Sequence, residues 1–457
     1  MYRADTIVAC ATPAGRGAIS IVRWSGPDAL AIASRVFVAD SGDGSFEPWH
    51  FRLGRVLDSE GAAIDEGLAV YFPAGRSFTG EDVVELHTHG SPIIVERLVA
   101  SVIASGGRAA ERGEFSRRAV LNGRLDLLQA EAIADLIDAK MAAGARAAWQ
   151  QLQGALSRET GAMRAELAGL LAEIEADVDF TDDELPHWDL DRRRESIAAV
   201  LASIDELLDG FAAGRRQREG LRIVVAGRPN AGKSSLVNRL LGSERMIVSE
   251  EAGTTRDSVE ESVDLAGIGF VLTDTAGLRE EGGKAEQEAV ARARRCIEEA
   301  DLRVLVVDAA VPATGADEAL WSAVIASGET IVVLNKIDAG EHFAPALRGR
   351  LAASSPVVMT SAITGEGCAA LAATLAACAR TKLESEPVAI SRVRHRAALE
   401  RCAAPLRRAA VLATDERAVE LVAVELRSAL TELAQISSPV GNEEVLDLIF
   451  SEFCIGK

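Results

Sequence analysis

The chain has 457 residues, of which 48% are hydrophobic and 26% charged, and its formal net charge is −20. The length provides for about three domains of roughly 150 residues each, and the balance of apolar and charged residues is that of a folded chain. Such an acidic surface argues against a large nucleic-acid footprint of the chain's own, so a nucleic acid would have to meet a local basic patch or one on a partner.

The six cysteines are Cys10, Cys296, Cys368, Cys378, Cys402 and Cys454. None forms a CxxC pair and none sits with histidines at zinc spacing. A reducing, cytoplasmic compartment is therefore expected. The opening MYRADTIVACATPAGRG shows no basic start followed by an apolar run, so no secretory signal is expected. No apolar run reaches about 18 residues, so no membrane span is expected.

In chain order, residues 1–120 predict a mixed α/β domain. AISIVRW (18–24), GLAVYFP (67–73) and VVELHTHG (83–90) are strand-like runs between Gly/Pro breaks. SPIIVERLVASVIASGG (91–107) predicts a helix, with Ser91 placed to cap it and Pro92 at its first position. Residues 121–215 predict helices. In LDLLQAEAIADLIDAK, Leu125, Leu128, Ile133, Leu136 and Ile137 fall near helical spacing. The helical texture breaks near FTDDELPHWD (180–189) and returns over 381–457, where Glu443 and Glu444 suit a helix start. Between these parts, residues 216–380 alternate β-branched runs with helical sequence: IVVAG, FVLTDTAG, LRVLVVD, TIVVLNKID and PVVMTSA. That rhythm predicts a parallel sheet with crossover helices. The expected fold class is multidomain α/β and all-α: an N-terminal α/β domain, and one helical domain split by an inserted parallel-sheet α/β domain, with two unrelated helical segments as the alternative.

GRPNAGKSS (227–235) fits the phosphate-cradling P-loop, because it follows a strand and opens a helix. Its Asn230, Ala231, Gly232, Lys233, Ser234 and Ser235 would surround the phosphates, with Lys233 on the β- and γ-phosphates and Ser234 on Mg²⁺. AGTTRD follows, where a mobile loop would bring Thr255 to Mg²⁺. In DTAG, Asp274 would hold Mg²⁺ through water and the Gly277 N–H would face the γ-phosphate, with Thr275 and Ala276 between them. In NKID, Asn335 and Lys336 precede Asp338, whose carboxylate can accept both N–H donors of a guanine edge, which adenine does not offer. The Ala362 N–H, after Ser361, would contact the guanine oxygen. Five motifs in this order point to GTP.

Ras-type GTPases place a water-orienting glutamine after the DTAG motif, where this chain has Leu278. Glu280, Glu281, Glu286 and Glu288 follow it, and composition alone does not choose among them.

These motifs, with DTIVACATPAGRGAISIVR (5–23), FTGEDVVELHTHG (78–90), SAITGEG (361–367) and FCIGK (453–457), resemble the MnmE (TrmE) family of tRNA-modification GTPases over the whole chain. The resemblance implies an N-terminal domain (1–120) that binds a tetrahydrofolate derivative, in the 5,10-methylene or 5-formyl form, and mediates a homodimer. It implies a helical domain (121–215 and 381–457) that carries the G domain (216–380) as an insertion. It also implies an FAD-containing, MnmG-like flavoprotein partner. With it, the protein would build a (carboxymethyl)aminomethyl-type group on C5 of wobble uridine, and the tRNA would be held largely by the partner.

For GTP hydrolysis the family implies potassium held by Asn230, Ser249, Glu251 and Thr254 in a loop that also includes Glu250, Ala252 and Gly253. It implies Glu286 as the catalytic glutamate, although Ala289 stands where the family has glycine. For folate it implies Arg23, Glu81, Arg124 and Lys457, with arginine at 124 where lysine is common. Cys454 is a candidate for a thiolate acting on the uracil ring. His87 and His89 are expected to be structural. A GTPase switch protein in ribosome assembly is the competing reading, but such proteins usually append basic RNA-binding modules, which an acidic chain does not match.

Overall fold

A computed structural model describes residues 5–40, 45–139, 142–179, 190–243, 260–265, 268–274, 295–340, 345–383, 390–415, 418–437, 443–451 and 453–457. The chain divides into two compact units. One comprises residues 1–134, 151–193 and 404–457; the other comprises 135–150 and 194–403.

The first unit is built on a seven-stranded sheet: β1 (Ile7–Cys10), β2 (Gly17–Ser25), β3 (Phe37–Ala39), β4 (Arg52–Leu57), β5 (Ala63–Phe72), β6 (Val83–Gly90) and β7 (Arg108–Ala109). The spatial order is β3-β4-β5-β6-β2-β1-β7, antiparallel except for the β1–β7 pair. Side chains alternate across it. On one face Val22, Trp24, Val84 and Leu86 are buried beneath α1 (Ala29–Val36) and α2 (Pro92–Ala104). The Trp24 indole is fully buried and donates to the Ala29 carbonyl at 2.8 Å, so truncating it to alanine would cost about 3–5 kcal/mol. On the other face, α3 (Glu114–Leu121) covers the β1 end through Ile7, Ala9, Ala110 and Phe115. Gly113 precedes α3 with φ 63°, and a Cβ there would press on Phe450 and Phe453.

The expected strands and the 92–104 helix are present. β1, β3, β4 and β7 were not expected, because runs this short or this mixed carry little periodic signal. Ser91 makes no side-chain cap bond, so Pro92 alone marks that helix start. The helix Leu127–Asp138 buries Leu127, Leu128, Ala130, Glu131, Ala132 and Ala134, whereas Ile137 is exposed. The buried face is thus carried by Leu127, Leu128, three alanines and Glu131 rather than by Ile133, Leu136 and Ile137. The long helices Ala155–Asp179 and Val419–Ser437 pack on stripes spaced alternately four and three apart: Leu156, Thr160, Met163, Leu167, Leu170 and Ile174 on the first, Val422, Leu426, Ala429, Leu433 and Ile436 on the second.

The second unit holds a six-stranded sheet: β8 (Leu221–Ala226), β9 (Glu260–Leu265), β10 (Ile268–Asp274), β11 (Leu302–Asp308), β12 (Thr330–Asn335) and β13 (Val357–Thr360). The order is β13-β12-β11-β8-β10-β9. All neighbours are parallel except β9, an antiparallel edge strand that the sequence reading missed. Both faces are apolar because helices cover both. Val304, Val306, Ile331 and Val333 join one core cluster; Leu305, Val307, Val332 and Leu334 join the other with Trp321 and Val324. Among the described residues, no helix is long and apolar enough to cross a membrane.

Candidate functional site

In the second unit, the loop from Gly227 to Gly232 joins β8 to the helix Lys233–Ser243. Three of its residues take positive φ: Gly227 (147°), Asn230 (64°) and Gly232 (90°). A Cβ at Gly227 would collide with the Val306 carbonyl, and one at Gly232 with the Asn335 amide. The glycines are thus required by the close approach of β11 and Asn335, and the resulting loop suits a backbone anion cradle. Lys233 is buried, and its ammonium donates to the carbonyls of Gly227 (3.0 Å) and Arg228 (2.9 Å). It is folded over the loop that a phosphate would occupy. Ser234 and Ser235 lie in the first turn of the helix.

Asn335 ends β12 and is buried. Its Nδ2 donates to the Ala231 carbonyl at 2.9 Å. Its Oδ1 accepts from the Ala362 N–H at 3.1 Å and from the Thr360 hydroxyl at 3.2 Å. Lys336 has φ 68° and pairs with Asp308 at 2.7 Å. Asp338 is exposed in the short turn Ile337–Ala339. Ser361 is buried, and its hydroxyl accepts the Thr364 N–H at 3.1 Å. The structure thus gathers Asn230 to Ser235, Asn335, Lys336, Asp338, Ser361 and Ala362 at the strand ends of one sheet. Asp274 closes β10, described here in its backbone only. Ser249, Glu250, Glu251, Ala252, Gly253, Thr254, Thr255, Thr275, Ala276, Gly277, Leu278, Glu280, Glu281, Glu286, Glu288 and Ala289 lie outside the described residues.

Beside the loop is a cavity of about 310 Å³, walled by Pro229, Val311, Pro312 and Trp321. At its rim Arg228 pairs with Asp317 at 3.0 Å. Burial pushes the Asp317 carboxyl up, but hydrogen bonds from Thr314 and the Arg228 charge outweigh it and hold it below the usual range.

The second constellation is in the first unit. Arg23 and Ser25 face away from the Trp24 core on β2. The Arg23 guanidinium pairs with Glu85 at 2.6 Å and lies 5.7 Å from the Phe78 ring centre and 5.9 Å from that of Phe115. Glu85 also meets His87 at 3.4 Å. Burial raises the Glu85 carboxyl, but the His87 and Arg23 contacts outweigh it and leave it below the ordinary range. Glu81 accepts from the Ser25 hydroxyl at 2.6 Å and from Arg118 Nη1 at 3.1 and 3.2 Å. Arg124 Nε donates to the Ser77 carbonyl at 3.1 Å. The Lys457 carbonyl accepts the Phe115 N–H at 3.1 Å. Arg23, Glu81, Arg124 and Lys457 are therefore linked through one loop, residues 74–82, and through Phe115.

Residues 454–457 are stitched to the same region. The Cys454 carbonyl accepts the Gly113 N–H at 3.4 Å, and Ile455 bridges to Arg112. The Cys454 thiol is exposed. His89 pairs with Asp65 at 2.7 Å, a bond that raises its pKa.

Two family models match the chain: the MnmE helical domain over residues 127–454 and the GTP-binding protein TrmE N-terminus over residues 6–124. The chain belongs to the MnmE family. It is 43% identical over 456 residues to the tRNA modification GTPase MnmE of Parvibaculum lavamentivorans, covering 99% of this chain and 100% of that protein. It is 44% identical over 455 residues to the MnmE of Xanthomonas campestris pv. campestris, covering 99% of each. The MnmE of Roseiflexus sp. is 41% identical over 468 residues, again covering 99% of each.

Sequence reasoning on this MnmE-family chain missed Ser25, Phe78, Phe115 and Arg118. Phe78 lies inside the FTGEDVVELHTHG run that carried the resemblance, so it had a signal. Ser25, Phe115 and Arg118 had none, since their partners are remote in the chain.

Proposed function

We propose that the protein hydrolyses GTP in a potassium-dependent manner and serves as the GTPase component of tRNA wobble-uridine modification. The observation that carries this reading is Asn335, whose one amide ties the phosphate loop to the segment at Ala362 beside which a guanine would lie. Lys233 can exchange its loop carbonyls for phosphate oxygens. Asp338, exposed in the turn after β12, would accept the N–H donors of the guanine edge. Ser234 and Thr255 would hold Mg²⁺. Potassium, held by Asn230, Ser249, Glu251 and Thr254, would offset charge developing between the phosphates. Glu286 would orient the attacking water in place of the absent glutamine.

In the same reading the protein uses a tetrahydrofolate derivative at Arg23, Glu81, Arg124 and Lys457, works with a flavoprotein partner, and carries residues 216–380 as an inserted G domain. Two carboxylates, flanking rings and a guanidinium suit a flat heterocycle that carries N–H donors. The protein is a homodimer in this proposal. Leu53, Leu68, His87 and Ile21 are register partners on the sheet face away from the Trp24 core, with Leu53 49% and Leu68 39% exposed. The exposed leucines of that row suit burial against a second copy. Two measurements test the function: phosphate release in potassium against sodium, and mass spectrometry of tRNA nucleosides from a strain lacking the gene. Equal rates in both salts, or unchanged wobble uridines, would overturn it.

A further inference from the structure

We infer that Arg118 is the positioning residue of the folate site, fixing the Glu81 carboxylate in the direction a ligand must meet; this rests on the folate reading above. Arg118 lies on α3 with its side chain 3% exposed. No ligand can reach a guanidinium so enclosed, so its effect must pass through a neighbour. Its three carboxylate neighbours come from separate segments. Nη2 holds Asp5 at 2.6 Å and Glu114 at 3.0 Å, while Nη1 spans both oxygens of Glu81. Arg108 also bridges Asp5 and Glu114.

Asp5 and Glu114 have evident structural roles, since together with Arg108 they tie β1 to α3. The Glu81 contact differs in kind. The loop that carries Glu81 has anchors of its own. Asn122 donates to the Thr79 carbonyl at 2.8 Å, Ser77 donates to the Glu81 carbonyl, and the Ala74 N–H donates to Asp82 at 2.9 Å. Its backbone path does not need the Arg118–Glu81 bond. What that bond sets, together with Ser25, is the orientation of the carboxylate. Ser25 bridges Thr79 at 2.7 Å and Glu81 at 2.6 Å. The helix adds a second constraint. Phe115 lies one turn before Arg118, and its ring flanks Arg23. One short helix therefore places the aromatic wall and the group that aims the carboxylate.

A planar fork serving three carboxylates cannot be replaced by an ammonium, which is a point charge on a flexible stem. The test is isothermal titration of the full chain with 5-formyltetrahydrofolate, with circular dichroism as the folding control. Arg118→Lys should weaken binding about tenfold or more. The decisive arm is the double variant of Arg118→Lys with Glu81→Gln. If Arg118 acts through Glu81, the double variant binds no more weakly than Glu81→Gln alone. Should Arg118→Lys fail to fold, Ser25→Ala takes its place, with the same expected weakening and the same absence of further loss on Glu81→Gln. Multiplying losses in the double variant, or parent-like affinity in the single one, would overturn the assignment while leaving the folate reading intact. Absence of binding by the parent chain would instead overturn the folate reading, and this inference with it.

Discussion

Asn335 and Ala231, 104 positions apart in the chain, are joined by a 2.9 Å hydrogen bond from the Asn335 side-chain amide to the Ala231 carbonyl. The other end of that amide accepts the Ala362 N–H at 3.1 Å. Replacing Asn335 by alanine leaves two backbone groups without this partner, and each buried group left unsatisfied costs about 1–3 kcal/mol. Asn335→Ala should therefore unfold at lower temperature in calorimetry and lose most of its GDP affinity. Parent-like nucleotide binding would show that the tie does not position the phosphate loop.

Asp338 is exposed and close in the chain to Asn335, as a reader of the base must be. Asp338→Asn should weaken GTP binding and favour xanthosine triphosphate, because the amide now presents a donor where guanine also donates. Fluorescence titration with both nucleotides measures the exchange. Unchanged GTP affinity would contradict the role of Asp338.

Asn230 and Glu286 should fail in different ways. If Glu286 orients the attacking water as proposed, Glu286→Ala removes an interaction made only in the transition state, so it should retain GTP binding and potassium-driven association while losing most of kcat. Asn230→Ala should retain nucleotide but lose the potassium response. Single-turnover hydrolysis, and light scattering with GDP and aluminium fluoride, each in potassium and in sodium, separate the two. Parent-rate hydrolysis by Glu286→Ala would direct attention to Glu280, Glu281 or Glu288.

Glu81→Ala should abolish binding of 5-formyltetrahydrofolate in isothermal titration while GDP affinity stays at the parent value, since the residues proposed to hold the nucleotide belong to the other unit. Folate binding retained by that variant would remove Glu81 from the site.

Acidification should loosen the first unit. Burial raises the Glu114 carboxyl, but the Arg108 hydrogen bond, the Glu111 N–H and Arg118 outweigh it, so its folded pKa is lowered. A lowered carboxylate pKa contributes stability that is present above the unfolded value of about 4.3 and is lost as pH falls through the folded one. Glu85 has the same sign. Thermal unfolding followed from pH 7 to pH 3 should show a falling melting temperature, and Glu114→Gln should flatten that slope. An identical slope in the variant would mean that other carboxylates control the acid limb.

The nucleotide site was largely legible in the amino-acid sequence because its parts are contiguous. A loop that must present its backbone needs glycines at set positions, and strands buried on both faces must be continuous β-branched runs. Those local demands are written as GRPNAGKSS, NKID and the five apolar strands. β9 escaped because an edge strand such as EESVDL need satisfy only one neighbour and can carry charges.

The N-terminal constellation was legible only in part. The family pattern named Arg23, Glu81, Arg124 and Lys457, but it did not say what holds them. Arg118 meets Asp5 across 113 positions and Glu81 across 37, and Ser25 meets Glu81 across 56. Any of the chain's many carboxylates could pair with any arginine as far as composition is concerned. Strand register and the docking of α3 on β1 decide which ones do, because charge pairing is short-ranged in space and indifferent to distance along the chain. Local chemistry thus determined the phosphate cradle from the sequence alone, whereas the partners of Arg118 and Glu81 were decided only when the sheet closed.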